Sequence, residues 1–493
     1  MRVTLHDYST DPSLPQKDGV NLAHENIAAL LRREAGPGLD VAFHDFNRLL
    51  SDEAYARRTL GAADCVVSNV GPHAHYYFWL RERLGLRFRI VRDVRTAIWS
   101  SYLLQEHLSR PFLRPDDLLM VASHYTRGVY EKLFPHLAGT RIARCYPLSV
   151  GFPDRPVRRE VGGRGRGGAV VIGYVGRLSE DKNFPDLVEL LVRLNRAHPG
   201  RYRLHACGDV HSPSCDPSAV RQRIAQELGD GSCFEYLPAR ENRRIWELYD
   251  QFDVLVFPST SNLETLGRVL VEASYAGVPI VCGEHAAASE LVPDAALCRV
   301  TYERGKHYSA HFDHSLGRVS IDDMVRVLTA GTPMPSRCHV EYQTHPGKFL
   351  RLLAGGDGSG GSGGGVPAAE PLHLTPGQQA FIDSLEVALP PPPDRAAAAG
   401  LVDRLVPWFL SVQRRGAPER AQRLETLLAI SRHPERTRRF IAKSAVTNAD
   451  FTDVGGIDIE LCHVAGFYPS FTLAARPIAA LRPDRSEPVA RVR

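Results

Sequence analysis

Two glutamates near the middle of the chain have the type and spacing to bind a sugar ligand. Glu264 and Glu272 stand eight positions apart within Phe257–Pro279. The apolar run 253–257 predicts a buried strand, and apolar residues at helical spacing from Leu266 onward predict a helix. Glu264 would lie in the loop before this helix and Glu272 two turns inside it. Carboxylates accept hydrogen bonds from sugar hydroxyls, and a helix N-terminus suits an anionic or polyhydroxylated ligand.

A pair of cations lies on another loop, Gly176–Asn183. Arg177 and Lys182 are five positions apart, between a predicted strand at 169–175 and a predicted helix at 184–196. Arginine can donate two parallel hydrogen bonds to phosphate oxygens, and lysine acts as a point charge. The pair could therefore face a diphosphate. Two alternatives stay open: the cations are surface charges of an ordinary loop, and the two glutamates are solvated positions of an amphipathic helix.

The first part of the chain predicts a parallel α/β sheet. Short apolar strands, at 2–8, 64–69, 88–91 and 118–123, alternate with helical segments. In such sheets ligands bind at the carboxyl ends of the strands. The candidate residues at this edge are Gly19, His73, His75, Arg92 and Asp93.

Composition narrows the class of protein. The 493 residues are enough for about three domains, and 43% hydrophobic and 24% charged residues are ordinary for a globular protein. A net charge of +4 gives no argument for nucleic-acid binding. The nine cysteines form no CxxC pair, which argues against a zinc site or a disulfide framework and favours a reducing cytoplasm. We expect no signal peptide and no membrane-spanning segment, because no long apolar run is present.

Taken together, the charged stretches resemble the retaining GT-B glycosyltransferases of the GT4 type, the glycosyltransferase group 1 family. The family's G-R-L-x-x-x-K loop stands here as Gly176–Lys182, and its P-S strand end as Pro258–Ser259. Its E-x-F-G-x-x-x-x-E-A block stands as Glu264–Ala273, and A-x-G-x-P-V-V as Ala276–Val281. The following G-G-x-x-E-L-V is matched loosely by Ala286–Val292.

The resemblance covers about residues 1–354, most strongly 170–293. It implies a GT-B fold, with two Rossmann-like lobes facing across a cleft, followed by a mainly helical C-terminal module. The expected divisions are an acceptor-side lobe at 1–155, a Gly/Arg-rich linker at 156–168, a donor-nucleotide lobe at 169–336, a segment returning to the first lobe at 337–354, a Gly/Ser-rich linker at 355–365 and a module of unknown role at 366–493.

The resemblance also implies roles for the charged residues. Arg177 and Lys182 would hold the donor diphosphate and stabilise the leaving group, and Glu264 would contact the donor sugar; these three are the implied catalytic residues. Glu272 would bind the ribose hydroxyls. The full implied donor-binding set is Gly176, Arg177, Lys182, Glu264, Thr265, Leu266, Gly267 and Glu272. The family usually needs no catalytic metal, so no metal site and no cofactor are expected beyond a UDP-, GDP- or ADP-linked sugar donor.

The sequence departs from the family on the acceptor side. A lone Gly19 stands where many members have Gly-Gly, and Arg92 stands where many have histidine. Arg92 could hold an anionic group of the acceptor or of the donor, and His73 and His75 could replace the missing histidine. The preferred alternative for these two histidines is a structural hydrogen bond. Ala286–Ala287 also replaces a Gly-Gly pair and would crowd the approach to the donor.

The favoured function is a glycosyltransferase that moves a hexose to an acceptor hydroxyl with retention of configuration. A sugar-nucleotide epimerase on the same fold and a non-catalytic nucleotide-sugar-binding protein remain as alternatives. The acceptor is not readable from these motifs. The expected location is cytoplasmic, and peripheral at a membrane if the acceptor is lipid-linked. In the C-terminal module we expect helices at Gln378–Ala388, Ala398–Arg414 and Ala421–Ile430, serving oligomerisation or partner binding.

Overall fold

The computed structural model describes most of the chain. The described residues are 1–7, 19–96, 98, 100–139, 141–148, 152, 168–180, 182–238, 245–261, 264–307, 315–331, 333–355, 370–414, 465–467 and 470–473. The two predicted linkers lie almost wholly outside these ranges, and the helix predicted at Ala421–Ile430 lies outside them entirely.

The first lobe is built on a six-stranded parallel sheet with the strand order β2-β1-β3-β4-β5-β6. Its strands are β1 (Arg2–His6), β2 (Asp40–His44), β3 (Cys65–Ser68), β4 (Arg89–Asp93), β5 (Leu118–Val121) and β6 (Ile142–Arg144). Its helices are α1 (Gly19–Glu34), α2 (Phe46–Ser51), α3 (Glu53–Gly61), α4 (Ala74–Arg83), α5 (Ser100–Ser109) and α6 (His124–Leu133). Strands β3 and β5 are buried along their whole length, as their apolar runs predict.

The second lobe has a parallel sheet of the same size with the strand order β12-β11-β10-β7-β8-β9. Its strands are β7 (Val170–Val175), β8 (Tyr202–Cys207), β9 (Phe234–Leu237), β10 (Val254–Phe257), β11 (Ile280–Gly283) and β12 (Leu297–Cys298). Its helices are α7 (Phe184–Ala197), α8 (Pro217–Leu228), α9 (Trp246–Tyr249), α10 (Arg268–Tyr275) and α11 (Ala288–Leu291). An antiparallel hairpin and a helix follow: β13 (Val300–His307), β14 (Ser315–Val319) and α12 (Ile321–Ala330).

The strand order of the second lobe fixes where a ligand can bind. Its earliest strand, β7, lies between β8 and β10, so the chain reverses its direction across the sheet between β7 and β10. In open α/β sheets the crevice outside the carboxyl ends of the strands at such a reversal is the usual ligand site. The loops that leave β7 and β10 are the two charged stretches singled out in the sequence.

Two helices after the second lobe run back to the first. They are α13 (Cys338–Tyr342) and α14 (His345–Leu353). Phe349 and Leu353 of α14 are buried in the same core as Val3 and Leu5 of β1. The ring Nδ1 of His345 accepts a hydrogen bond of 3.0 Å from the backbone N–H of Tyr146. The second lobe is therefore anchored to the first at its C-terminal end.

The C-terminal part packs against both lobes. It contains α15 (Pro376–Ser384), β15 (Leu385–Ala388), α16 (Arg395–Arg414) and β16 (Ser470–Leu473). The helix predicted over Gln378–Ala388 is wrong in its last four residues, because β15 pairs there antiparallel with β16. Helix α16 lies on α2 and α4 of the first lobe, where the ring centroids of Phe409 and Phe46 are 5.8 Å apart.

In the part of the chain that the structure describes, no helix combines the length and the apolar character needed to cross a membrane.

Candidate functional site

The loop that leaves β7 carries the two predicted cations. Gly176 begins it, and the Tyr174 hydroxyl donates a 2.6 Å hydrogen bond to the carbonyl of Arg177. Arg177 is half-buried, and the Lys182 side chain is 16% exposed, so a ligand can reach the lysine. Asn183 has left-handed backbone (φ 53°) and stands where α7 needs an N-cap, but its side chain makes no capping bond.

Asn183 instead ties this loop to the loop that leaves β10. Its amide group donates to the carbonyl of Pro258 at 2.9 Å and lies 2.9 Å from the hydroxyl of Thr260. A third contact of 3.1 Å reaches the carbonyl of Gly317 in β14. One buried side chain therefore fixes the relative position of the two charged loops and the hairpin behind them.

Lys182 and Glu264 meet across these two loops. The Lys182 ammonium forms an ion pair with Oε1 of Glu264, and the Ser259 hydroxyl donates to the same oxygen at 3.1 Å. The Glu264 side chain is 15% exposed, like that of its partner. The structure thus brings together, at the edge of the sheet, the two residues that the sequence predicted as a cation for the diphosphate and a carboxylate for the sugar.

Glu272 lies nearer the start of its helix than the predicted two turns, and two neighbouring side chains hold its carboxylate. It lies just over one turn inside α10, because the helix begins only at Arg268, and it is 4% exposed. Its Oε1 accepts a 2.7 Å bond from Nε of Arg268, and its Oε2 accepts a 2.9 Å bond from the hydroxyl of Tyr249. Burial raises the pKa of Tyr249 well above its ordinary value, and the neighbouring Glu272 charge raises it further. Tyr249 therefore stays a neutral hydrogen-bond donor.

We call the loop that leaves β10, residues 258–267, the donor loop, because the sequence predicts a donor role for it. Its last residues, 265–267, connect it to the first lobe. The Thr265 hydroxyl donates to the carbonyl of Arg95 at 3.2 Å, and the Thr126 hydroxyl lies 3.4 Å from the carbonyl of Thr265. Leu266 is buried in the core of the second lobe. Gly267 has φ 74°, a backbone conformation that favours glycine, and it allows the chain to turn directly into α10. The donor loop and the first lobe are therefore in direct contact.

Arg92 lies inside the first lobe. Its side chain is fully buried and forms an ion pair with the equally buried Glu106. Gln105 donates to the same carboxylate at 3.1 Å and accepts a 2.8 Å bond from the first backbone N–H of α4, at Ala74. The guanidinium also lies over the ring of Phe78, 5.6 Å from its centroid. The described contacts of Arg92 are thus with the core of its own lobe, and the interpretation of Arg92 as an anion ligand gains no support from them.

Asp93 occupies the other side of strand β4 and is connected to the donor loop. Its Oδ2 accepts a 2.7 Å bond from Nε of Arg95, whose carbonyl is the one that Thr265 contacts. Burial raises the pKa of Asp93 to about 6, although Arg95 favours its charged form. Arg95 lies over the ring of Tyr146, 4.4 Å from its centroid. Arg95 was not among the residues predicted from the sequence, and only its place two residues after Asp93 could have suggested it.

The remaining acceptor-side candidates lie apart from the donor loop. Gly19 is the first residue of α1. His73 and His75 stand at the start of α4, where the His73 ring lies 5.0 Å from that of Phe409 in α16. Burial lowers the pKa of His73 to about 3 and that of His75 well below its ordinary value, so both rings are neutral. Their surroundings are those of packed aromatic side chains beneath the C-terminal helix.

A second contact between the lobes involves Glu290. Its carboxylate accepts hydrogen bonds from the backbone N–H groups of His124 at 3.0 Å and Tyr125 at 3.1 Å, at the start of α6. Burial raises the pKa of Glu290 to about 7, against these hydrogen bonds. Ala286, in place of a family glycine, keeps left-handed backbone (φ 49°), and its carbonyl accepts a 2.8 Å bond from Gln378 of α15.

A polar cavity of about 300 Å³ lies beside this contact. Its walls come from both lobes, from α13 and from the segment before α15. They are formed by His124, Arg144, Glu290, Leu291, Glu341, His373, Leu374 and Thr375. None of these residues belongs to the two charged loops. Among the residues that the structure describes, no three His, Cys, Asp or Glu side chains form a group suited to a metal ion, and metal independence stays a prediction.

Comparison with known proteins agrees with this geometry. Residues 163–310 match the model of the family described as glycosyl transferases group 1. The chain is 27% identical over 190 residues to the D-inositol 3-phosphate glycosyltransferase of Corynebacterium jeikeium, covering 38% of this chain and 43% of that protein. It is 34% identical over 227 residues to the enzyme of the same name from Mycobacteroides abscessus, covering 42% and 49%. The chain thus spans less than half the length of these curated relatives.

About three quarters of the chain resembles a solved structure in its fold. The crystal structure of Anabaena HepE in complex with UDP and glucose superposes with a TM-score of 0.51 at 15% identity, covering 72% of this chain and 99% of that one. The predicted GT-B fold and the predicted resemblance to the group 1 family are therefore confirmed.

Proposed function

We propose that this chain, a GT-B protein whose second lobe belongs to the glycosyl transferases group 1, moves a sugar from a nucleotide diphosphate sugar to an acceptor hydroxyl. We include in the proposal retention of the anomeric configuration and independence of a metal ion. The observation that carries it is the pairing of Lys182 with Glu264 at the strand ends where the second sheet reverses.

The chemistry of glycosyl transfer needs the charges found on these loops. Breaking the bond between sugar and diphosphate builds positive charge on the anomeric carbon and negative charge on the departing phosphate. A preorganised cation aimed at the leaving group lowers the barrier to this step. Lys182 would exchange its partner Glu264 for the diphosphate, and Arg177 on the same loop would support it. Glu264, released from the ion pair, would then accept hydrogen bonds from sugar hydroxyls.

The nucleotide would be held next to this position. Glu272 lies on α10, whose N-terminus follows directly on the Glu264 loop, and its carboxylate is oriented by Arg268 and Tyr249. A carboxylate with a fixed orientation is suited to the two vicinal hydroxyls of ribose, because each can donate to an oxygen lone pair not already used. The first donor to test is UDP-glucose, since the Anabaena neighbour was crystallised with UDP and glucose.

The acceptor would approach from the first lobe. Of the predicted acceptor-side residues, Asp93 has a described connection to the donor loop, through Arg95 and Thr265. The curated relatives are named D-inositol 3-phosphate glycosyltransferases. A phosphorylated polyol therefore belongs in the acceptor panel, together with simple sugars.

Turnover distinguishes the proposal from its alternatives. The purified chain is incubated with UDP-, GDP- and ADP-sugars, with and without acceptors, and nucleotide release is followed. A transferase releases nucleotide faster when its acceptor is present, and NMR of the product reports the anomeric configuration. An epimerase converts the sugar without releasing nucleotide, and a binding protein does neither. Activity unchanged by a chelator would support metal independence.

A further inference from the structure

Phe381 of α15 lies between the two lobes. It is 4% exposed, and its ring centroid is 6.0 Å from that of Tyr125 in the first lobe. On the other side it is 5.8 Å from the ring of His285 and 5.2 Å from that of Tyr302, both in the second lobe. A residue outside the group 1 match thus completes an aromatic cluster at the cleft.

His285 connects this cluster to the donor loop. Its Nε2 lies 3.0 Å from the carbonyl oxygen of Ser261, which only accepts hydrogen bonds, so Nε2 carries the proton. Its Nδ1 then accepts from the hydroxyl of Tyr302 at 2.7 Å. Burial lowers the pKa of His285 to about 4, which keeps the ring neutral and this arrangement unchanged near neutral pH.

The Ser261 carbonyl also holds Glu264. The backbone N–H of Glu264 donates to it at 3.1 Å, so one oxygen is shared by the His285 ring and the residue assigned to the donor sugar. Any shift of the His285 ring therefore acts on the backbone of Glu264 through a single shared acceptor.

Helix α15 packs closely against both lobes, so it can hold the Phe381 ring in a fixed position beside His285. A Cβ atom on Gly377 would lie 2.4 Å from Oε1 of Glu284, and one on Gly128 of α6 would lie 2.9 Å from Cδ1 of Ile382. These glycines allow α15 to contact the second lobe and α6 at the same time. The bond from Gln378 to the carbonyl of Ala286 fixes α15 next to His285.

We propose that Phe381 is a positioning residue of the donor site, which holds the His285–Tyr302 pair and through it the Ser261 carbonyl that orients Glu264. The C-terminal segment is then part of the donor-binding machinery. This inference rests on the proposed function, because it needs Glu264 to contact the donor.

The test compares two phenylalanines of the C-terminal segment in the full chain. Phe381→Ala removes the ring at the cleft. Phe409→Ala, the matched control, removes a similarly buried ring whose described ring contacts are with the first lobe, at Phe46, His73 and Tyr76. Both should lower the melting temperature. Only Phe381→Ala should weaken UDP-glucose binding, by about tenfold, the effect of roughly one lost hydrogen bond.

A second variant covers the case in which Phe381→Ala fails to fold. His285→Ala removes the bond to Ser261 without changing a residue of α15, and it should weaken donor binding by a similar factor. In the double variant the two effects should not multiply, since both act through one carbonyl; independent sites multiply to within about twofold. Donor affinity unchanged in Phe381→Ala, equal losses in both phenylalanine variants, or fully multiplicative losses would each overturn the inference.

Glu264→Ala separates this inference from the proposed function. If Glu264→Ala weakens donor binding while Phe381→Ala and His285→Ala do not, the positioning role is wrong and the donor site stands. If Glu264→Ala leaves donor binding intact, the proposed function itself has failed.

Discussion

Lys182 and Glu264 form an ion pair between two loops whose residues are separated by 82 positions of the chain. Both side chains are about one-sixth exposed, so the pair lies at the surface of the cleft and a ligand can reach it. Each group neutralises the other, and under the proposed function the donor would separate them. A diphosphate with its attached sugar offers an anion to the lysine and hydroxyls to the glutamate, and it can therefore replace both partners at once.

Replacing Lys182 by Ala should chiefly lower the rate. The charge on the departing diphosphate then lacks a preorganised cation, and we expect kcat to fall about 100-fold, with a smaller change in the donor KM. Steady-state kinetics with the identified donor measure both constants. Arg193→Ala is the control, because Arg193 forms exposed ion pairs with Glu189 and Asp322 on the outer surface. Full turnover of the lysine variant would refute the leaving-group role.

Replacing Arg268 by Leu should destabilise the second lobe. Glu272 would then be a buried carboxylate without its cation, and breaking such a pair costs about 3 kcal/mol of unfolding free energy. Exchanging Glu272 for Gln as well removes the unpaired charge and should restore much of the loss. Urea unfolding of the two single variants and the double variant measures this coupling. Strictly additive losses would show that the two side chains do not stabilise each other.

The unfolding free energy should fall as pH rises because of Glu290, whose burial disfavours the charged carboxylate more than its hydrogen bonds to α6 favour it. The pKa of Glu290 is about 7 in the folded protein, against an ordinary value of 4.5, because the carboxyl is buried. Between pH 4.5 and 7 the unfolded chain has lost this proton and the folded protein keeps it, so the unfolding free energy falls, by at most about 1.4 kcal/mol per pH unit.

Urea unfolding at pH 5 and pH 8 checks this effect. Glu290→Gln carries no titrating proton and should lose less stability between the two pH values than the wild type. Asp93, whose pKa is raised to about 6, acts in the same direction in both proteins and cancels in the comparison. Glu227→Gln, on the partly exposed face of α8, is the control and should behave as the wild type. An equal pH dependence in all three would refute the assignment to Glu290.

The sequence predicts the elements of the second lobe well because local patterns specify them. The apolar run of β10, the polar loop and the helical spacing of α10 each follow from a few neighbouring residues. The Arg268–Glu272 pair was not predicted, although residues four apart meet on one helix face and their spacing could have indicated it. The helix α10 begins two residues later than the helical spacing from Leu266 predicted, because Gly267 takes left-handed backbone.

The surroundings of the predicted acceptor-side residues depend on long-range contacts that no local sequence pattern reveals. Arg92 follows a strand as a ligand residue would, but its partner Glu106 lies on a separate helix and draws the guanidinium into the core. Phe409 covers His73 from a helix more than 300 residues further along the chain. Nothing near Phe381 in the sequence indicates that its ring lies beside His285. Long-range packing, rather than secondary structure, limited the prediction of the site.

Calorimetric titration of the wild type and Glu272→Ala with UDP and UDP-glucose tests the donor site most directly. Ligand that binds the folded protein also raises its melting temperature, which gives an independent reading on the same samples. We predict saturable binding to the wild type and binding weakened at least about tenfold in Glu272→Ala, because the ribose contacts are lost. Equal affinity of the two proteins for both ligands, at preserved folding, would contradict the account.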